Sequence, residues 1–260
     1  MANEVATRKG SFSELLTTEL EQNTAALPAN FNISRYVKNS IALLNGNDAL
    51  KEFNRKYGNE QIRLGLLTAA YSGLDASKNH CYLIPYGSQI NFVASWKGMM
   101  VYAKQHNKDI DYFKVGIIRE GDTFECGSKN GDDYYEHKMS GVGLKKPIIG
   151  AFANCRYKDG HCQLEVMDIG ELDNAKSQSK AKNGTAWGRF PEEMYRKVVM
   201  RRLCKRILED EEDDFDKSQE DLILTNGIDI ETNTAELAKR EIAAGENSED
   251  FIEAEVRTVM

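Results

Sequence analysis

Two pairs of short β-rich segments are each joined by a turn of two or three residues. The pairs are 80–86 with 89–95 around Gly87-Ser88, and 149–157 with 161–167 around Lys158-Asp159-Gly160. A short Gly-containing turn between two such segments is a signal for an antiparallel hairpin. The sequence therefore predicts two hairpins. It also predicts a strand over 114–120 and a charged, Gly-rich loop over 127–147.

Helical periodicity appears on both sides of the first hairpin. A helix is predicted over 97–105, where the alternating pattern ends. Three more are predicted before the hairpin, because apolar residues recur three and four positions apart between cap residues and glycines. These three run over 12–22 after the cap Ser11, from the cap Ser34 to the turn Asn45-Gly46, and over about 60–72 before Gly73.

A basic segment, WGRFPEEMYRKVVMRRLCKRI over 187–207, stands out in a chain whose formal net charge is −7. From residue 190 it reads as a helix, with Pro191 suited to the first turn. At 100° per residue one face is apolar and is predicted to be buried. That face consists of Val199, Met200, Leu203 and Ile207. Lys197, Arg201 and Lys205 form a separate stripe, which indicates an anionic partner or, alternatively, a solvated face.

The negative charge of the chain is concentrated at its C-terminal end. Of the 34 basic and 41 acidic residues, 4 and 18 lie in 209–260, which leaves 30 and 23 for 1–208. The net charges are therefore −14 for the end and +7 for the rest. A basic body is typical of proteins that bind polyanions. The acidic end, with helical character only over 234–244, is predicted to be a mostly disordered tail.

Several other classes of protein are not favoured. The chain lacks an apolar run of about 18 residues and an N-terminal apolar segment, so neither a membrane span nor a secretory signal is expected. The five cysteines form no CxxC pair and are expected to be reduced. No phosphate-binding GxxxxGK[ST] loop or HExxH motif occurs. The best candidate for a metal-dependent nuclease is weak: Glu165, Asp168 and Lys158 near one hairpin.

Three stretches stand out together by their motifs, order and spacing: LIPYGSQINFVASWKGMMVYA (83–103), VGIIREGDTF (115–124) and WGRFPEEMYRKVVMRRLCK (187–205). Together they resemble the RecT family of phage and prophage recombination proteins. That family has a strand with [LI]-x-P-[YF], a helix start with aromatic-[KR]-Gly, a strand end V-[RK]-E-G, and W…M-x-K-K-x-x-[LI]-R. The resemblance covers roughly residues 30–208. Two departures are Trp96 where the family usually has Tyr, and Met200 where it has Leu or Ile.

The resemblance implies an α+β fold, with a small antiparallel sheet packed on a long basic helix. It also implies an ATP-independent single-strand annealing protein that acts in the cytoplasm of a bacterial host. Such a protein binds single-stranded DNA and an annealed duplex intermediate, and forms rings or helical filaments. A phage exonuclease and the host single-strand-binding protein are expected partners. No cofactor, metal or catalytic residue is implied, and a passive protector of single strands is the alternative reading.

The expected DNA contacts combine cations for phosphates with aromatic platforms for unpaired bases. Lys97 is favoured because a helix N-terminus already attracts phosphate. The full set is Lys78, Gln89, Trp96, Lys97, Arg119, Lys182, Trp187, Lys197, Arg201 and Lys205. The expected domains are an N-terminal helical segment for subunit contacts (1–30), an annealing core (31–208) and the acidic tail (209–260).

Overall fold

The computed structural model describes residues 10–141, 146–179 and 185–209. The chain divides into two compact units with a boundary between Phe92 and Val93. Lys182 and all but the first residue of the predicted tail lie outside the described residues. Among the described residues, 50% helix and 28% strand in mixed helices and antiparallel sheets confirm the α+β class.

The described part of the first unit contains four helices and a hairpin. They are α1 (Phe12–Gln22), α2 (Ile33–Asn45), α3 (Asp48–Tyr57), α4 (Glu60–Tyr71), β1 (Cys81–Tyr86) and β2 (Gln89–Ala94). The last two residues of β2 belong to the second unit. Short 3₁₀ turns lie at Thr24–Ala26 and Ala76–Lys78. Ser11 and Glu14 form a capping box that begins α1 as predicted. The cap of α2 is Asn32, whose side chain accepts from the Arg35 amide at 2.8 Å, so the prediction of Ser34 was wrong.

The N-terminal helices bury their apolar faces within the first unit. Phe12, Leu16 and Leu20 of α1 and Tyr36 of α2 are buried, whereas Leu15 is exposed. The Tyr36 hydroxyl donates to the Leu66 carbonyl at 2.6 Å, which joins α2 to α4. Most apolar side chains of α1 therefore pack inside their own unit, and a role for residues 1–30 in subunit contacts stays a prediction.

The β1–β2 hairpin turns at Gly87-Ser88, as predicted, and Gly87 has the positive φ of 60° that favours glycine. Its first strand packs closely on α4. A Cβ at Gly65 would lie only 2.7 Å from Leu83 Cδ2, so a larger residue there would force the Leu83 side chain to move.

Within its described residues, the second unit contains a three-stranded sheet, a separate hairpin and four helices. In chain order they are α5 (Trp96–His106), β3 (Ile110–Arg119), β4 (Thr123–Lys129), β5 (Asp132–Lys138), β6 (Ile148–Tyr157), β7 (Cys162–Asp168), α6 (Ile169–Gln178), α7 (Thr185–Arg189) and α8 (Pro191–Glu209). The sheet is antiparallel in the order β3-β6-β7. The β6–β7 pairing confirms the second predicted hairpin.

Helix α8 packs against all three strands of this sheet and also against α5. Its predicted apolar face is confirmed as buried. The buried face is wider than predicted, because Met194, Tyr195, Val198 and Cys204 are buried as well. Two neighbours, the sheet and α5, cover two sides of the helix, which explains the greater width.

The segment predicted as a loop over 127–147 instead begins inside the β4–β5 hairpin, so this prediction was wrong. Asn130 and Gly131 both have positive φ, 56° and 88°, as a tight type I′ hairpin turn requires. The hairpin contributes Phe124 and Tyr135 to an aromatic cluster around Phe152, with ring centroids 5.2 and 4.9 Å from that ring.

Candidate nucleic-acid interface

Three arginines of α8 are paired with carboxylates of the protein itself. Arg196 forms ion pairs with Glu192 and Glu193 in the first turn of α8. Arg202 Nε lies 2.9 Å from Glu165 Oε1, and Arg206 donates to the other Glu165 oxygen at 3.0 Å. The basic sequence indicated an anionic partner. For these three arginines, carboxylates of β7 and of the first turn of α8 supply part of it.

Two further carboxylates complete this network. Arg202 donates to Glu171 of α6 at 2.7 Å, and Arg206 lies 3.8 Å from Asp133 of β5. Glu165 itself is buried, and its two oxygens are occupied by the two arginines. These contacts hold α8 to the elements around it, so Arg202 and Arg206 have a structural role that charge alone does not reveal.

The stripe Lys197, Arg201 and Lys205 lies on a different side of α8, and its members differ in burial. Arg201 is only 5% exposed and donates to the Ala94 carbonyl at 3.1 Å. Lys197 is half-buried, and Lys205 is exposed. The three members of the stripe are therefore not equally accessible, because Arg201 points into the region between α8 and the residues before α5.

Burial leaves two of these cations poorly solvated. It lowers the pKa of Lys197 to about 7, and the nearby positive charge of Arg201 lowers it further. Burial likewise lowers the pKa of Arg201 to about 10. An anion placed beside them would favour their charged forms, so this part of α8 is suited chemically to a phosphate.

The start of α5 lies next to this part of α8, because Arg201 holds the Ala94 carbonyl two residues before the helix begins. Ser95 caps α5, with its hydroxyl accepting from the Gly98 amide at 3.0 Å. Trp96 is half-buried and Lys97 is exposed. The Lys97 ammonium lies 5.8 Å from the Trp96 ring centroid, within the range of a cation–π contact.

Trp187 occupies the interior of the second unit. Its side chain is 3% exposed, and its ring makes an edge contact with Tyr195 at 5.8 Å. Lys176 Nζ lies 5.8 Å from the same ring. Tyr195 donates to Asp173 at 2.7 Å, and burial, with that carboxylate, raises the pKa of Tyr195 to about 12. A buried indole cannot stack on a base without leaving its site, so the geometry favours a packing role.

Arg119 is tied to two other segments of the second unit. It donates to the Lys146 carbonyl at 2.6 Å and forms an ion pair with Glu192 at the start of α8. The remaining predicted contacts lie elsewhere. Lys78 is exposed, 3.8 Å from Asp75, and Gln89 is exposed at the start of β2, both in the first unit. DNA binding by these residues stays a prediction.

Asp122, which the sequence reading missed, anchors the turn that follows Arg119. Its buried carboxylate accepts from the amides of Arg119 and Ser140, at 3.0 and 2.8 Å, and from His137 at 3.1 Å. Burial alone would raise its pKa, but these hydrogen bonds outweigh burial and hold the pKa well below its usual range. The available signal was an Asp after the Glu-Gly of a strand end, a common turn position.

Replacing Asp122 by Asn should lower the free energy of unfolding at pH 7 by about 1–3 kcal/mol, because buried donors lose an ionised acceptor. The pKa of the Asp122 carboxyl group is lower in the folded than in the unfolded chain, so the ionised group stabilises the fold above the unfolded pKa of about 3.9. This stabilisation is lost as the pH falls below that value. The deficit of the variant should therefore shrink below about pH 4. Urea unfolding across pH checks this, and a deficit independent of pH would contradict it.

The two carboxylates of the weak nuclease alternative are engaged in other contacts. Glu165 binds the two arginines, and Asp168 caps α6 by accepting from the Glu171 amide at 2.8 Å. Within the described ranges, no group of three or more His, Cys, Asp or Glu side chains is arranged to hold a metal ion. Over the same ranges, no helix is long and apolar enough to cross a membrane.

Comparison with known proteins identifies the family of this chain. The chain matches the RecT family over residues 34–235. It is 27% identical over 199 residues to Protein RecT of Escherichia coli (strain K12), an alignment covering 72% of this chain and 71% of that protein. The family match continues beyond residue 208, where the resemblance was expected to end. The chain belongs to the RecT family, the phage-type single-strand annealing recombination proteins.

Proposed function

We propose that this protein binds the backbone of single-stranded DNA where α5 meets α8, and that this binding supports annealing without ATP. We call this place the α5–α8 corner and define it by Lys97, Lys197, Arg201 and Lys205. The observation that carries the proposal is the contact from Arg201 to the Ala94 carbonyl, which brings the cations of α8 to the start of α5.

Within the corner the residues have different roles. Lys97 and Lys205 are exposed and can reach phosphates directly. Lys197 is half-buried, and a phosphate beside it would relieve both its poor solvation and the repulsion from Arg201. Arg201 is a positioning residue, because its guanidinium lies inside the protein and holds the start of α5.

Backbone contacts suit an annealing protein for a simple physical reason. Contacts to phosphate and sugar set the position of a strand but carry no sequence information. A protein that holds strands in this way can present any sequence to a complementary strand. Pairing then needs no nucleotide hydrolysis, because base stacking contributes about 1.4 kcal/mol per step.

Lys97→Ala should reduce the dependence of single-strand affinity on salt. Each phosphate neutralised on a single strand contributes about −0.7 to the slope of log K against log salt, so the slope should become shallower by about 0.7. Arg202→Ala is the matched control and should leave the slope unchanged. The Arg202 side chain is half-exposed, but it is paired with Glu165 and Glu171. Fluorescence anisotropy with a labelled oligonucleotide over a salt series measures both slopes.

Two outcomes of this titration would contradict the corner. One is an unchanged slope for Lys97→Ala. The other is an equal reduction for Arg202→Ala, which would mean that the paired arginines of α8 also neutralise phosphates.

The wider setting is also a proposal. We expect the protein to act on DNA in the cytoplasm of a bacterial host, beside a phage exonuclease and the host single-strand-binding protein. A ring or helical filament of identical subunits would align many corners along one strand, which a single subunit of this size cannot do.

The acidic residues 209–260 could dock such partners or compete with DNA for the cations. Truncation after Leu208 distinguishes these roles, because only removal of a competitor should tighten DNA binding at low salt.

We expect no catalytic step on DNA, in keeping with a family of annealing proteins rather than classical enzymes. A gel assay of labelled single-stranded DNA with the protein and magnesium tests this. Intact strands are expected. Magnesium-dependent shortening that a Glu165→Gln variant abolishes would contradict the proposal and favour the nuclease alternative.

A further inference from the structure

The tip of the β1–β2 hairpin exposes an aromatic side chain to an unusual degree. Tyr86 is 76% exposed, which is the largest value for a bulky apolar or aromatic residue in the described parts of the chain. The next three residues, Gly87, Ser88 and Gln89, are exposed as well. A Cβ added at Gly87 would meet nothing within 4 Å, so the space around the tip is open.

The hairpin is anchored at its base although its tip is open. Cys81 and Leu83 on β1 and Phe92 on β2 are buried, and Leu83 fits closely over Gly65 of α4. The tight turn at Gly87-Ser88 then places Tyr86 at the end of a short, supported ribbon. A hairpin backbone held in this way loses little conformational freedom when its tip binds a partner.

The hairpin also lacks charge. From Cys81 to Ala94 the sequence CYLIPYGSQINFVA contains no Asp, Glu, Lys or Arg. The β4–β5 hairpin differs, because Lys129, Asp132 and Glu136 accompany its exposed Tyr134. A tip without charged residues neither attracts nor repels phosphates electrostatically. Its aromatic ring and polar groups are therefore better suited to the faces and edges of bases.

We propose that the tip of the β1–β2 hairpin is a base-contact site, in which Tyr86 stacks on an unpaired base of single-stranded DNA. Ser88 and Gln89 beside it offer a hydroxyl and an amide for hydrogen bonds to base edges. Stacking of an aromatic side chain tolerates every base, because each base has a π-face. The site thus complements the α5–α8 corner, since the corner contacts phosphates and the tip contacts bases. This inference rests on the proposed function and deepens it.

The test compares two ligands that share a phosphate backbone, an oligothymidylate and an abasic oligonucleotide of the same length. Tyr86→Ala should weaken binding of oligothymidylate by about 5- to 100-fold, the loss of one stacked base. Binding of the abasic strand and the salt slope should not change. Tyr86→Phe keeps the ring and should bind like the wild type. Tyr134→Ala is the matched control, because Tyr134 is 55% exposed on the charged hairpin, and it should have no effect.

Three outcomes would overturn the inference: no loss for Tyr86→Ala, an equal loss on both ligands, or an equal loss for Tyr134→Ala. Light scattering is measured in parallel, and smaller assemblies for Tyr86→Ala with unchanged affinity would assign the tip to contacts between copies of the chain. Failure of the proposed function is distinguishable, because it would appear as an unchanged salt slope for Lys97→Ala, whatever the result for Tyr86→Ala.

Discussion

Trp187→Ala should lower the free energy of unfolding by about 3–5 kcal/mol, the usual cost of deleting a large buried aromatic side chain. The indole is 3% exposed and packs edge-on against Tyr195, so its removal should leave a cavity. Trp187→Phe keeps part of the volume and should lose less. Urea unfolding followed by circular dichroism measures the differences.

The same two variants decide between packing and base stacking at this position. If Trp187 packs, the folded Trp187→Phe protein should bind single-stranded DNA with nearly the affinity of the wild type. Trp96→Ala serves as the comparison, because Trp96 is half-buried at the start of α5 and its loss should affect binding more than stability. A Trp187→Ala protein that is as stable as the wild type but binds DNA weakly would reverse this assignment.

Lys197→Met should make the protein more stable and its DNA binding weaker. The half-buried ammonium is poorly solvated and lies near the charge of Arg201, and burial lowers its pKa to about 7. Replacing a desolvated charge by an apolar side chain of similar length should raise the free energy of unfolding by about 1–2 kcal/mol at pH 7. The exposed Lys205, replaced in the same way, should give no such gain.

The pH dependence provides a second signature of Lys197. Because its folded pKa lies below the unfolded value of about 10.4, the unfolded chain binds more protons between about pH 7 and that value. The wild type should therefore gain stability as pH rises across this window, and Lys197→Met should lack that gain. A phosphate raises the pKa in the complex, so single-strand affinity of the wild type should fall as pH rises above about 7.

Unfolding and anisotropy titrations between pH 7 and 10 check both trends. A variant that is destabilised, or that binds DNA as tightly as the wild type, would remove Lys197 from the corner.

Local signals in the sequence located most of the regular elements. The capping box at Ser11 and Glu14 marks the start of α1, and the glycines at 46 and 73 mark two helix ends. Helix α3 was missed because it buries only Leu50 and Phe53, too few for a clear apolar period. The β4–β5 hairpin was missed because charged and polar residues conceal its alternation, although Asn130-Gly131 is itself a strong turn signal.

The site was harder to predict than the fold, for a physical reason. Helical periodicity gives the angle of each residue on α8, but it does not say how many neighbours surround the helix. Since α5 covers a second side, Arg201 became an interior residue that holds the Ala94 carbonyl. Periodicity also cannot find the partners of Arg202 and Arg206, because Asp133, Glu165 and Glu171 come from three elements distant in sequence.

The measurement that tests the central claim most directly is the rate at which two complementary oligonucleotides pair. One strand carries a fluorophore and the other a quencher, and the strands are mixed with the protein in the absence of ATP. The wild type should accelerate pairing well above the protein-free rate, and Lys197→Met should accelerate it less. A wild-type protein that binds each strand but leaves the pairing rate unchanged or slower would contradict the account and identify a passive protector of single strands.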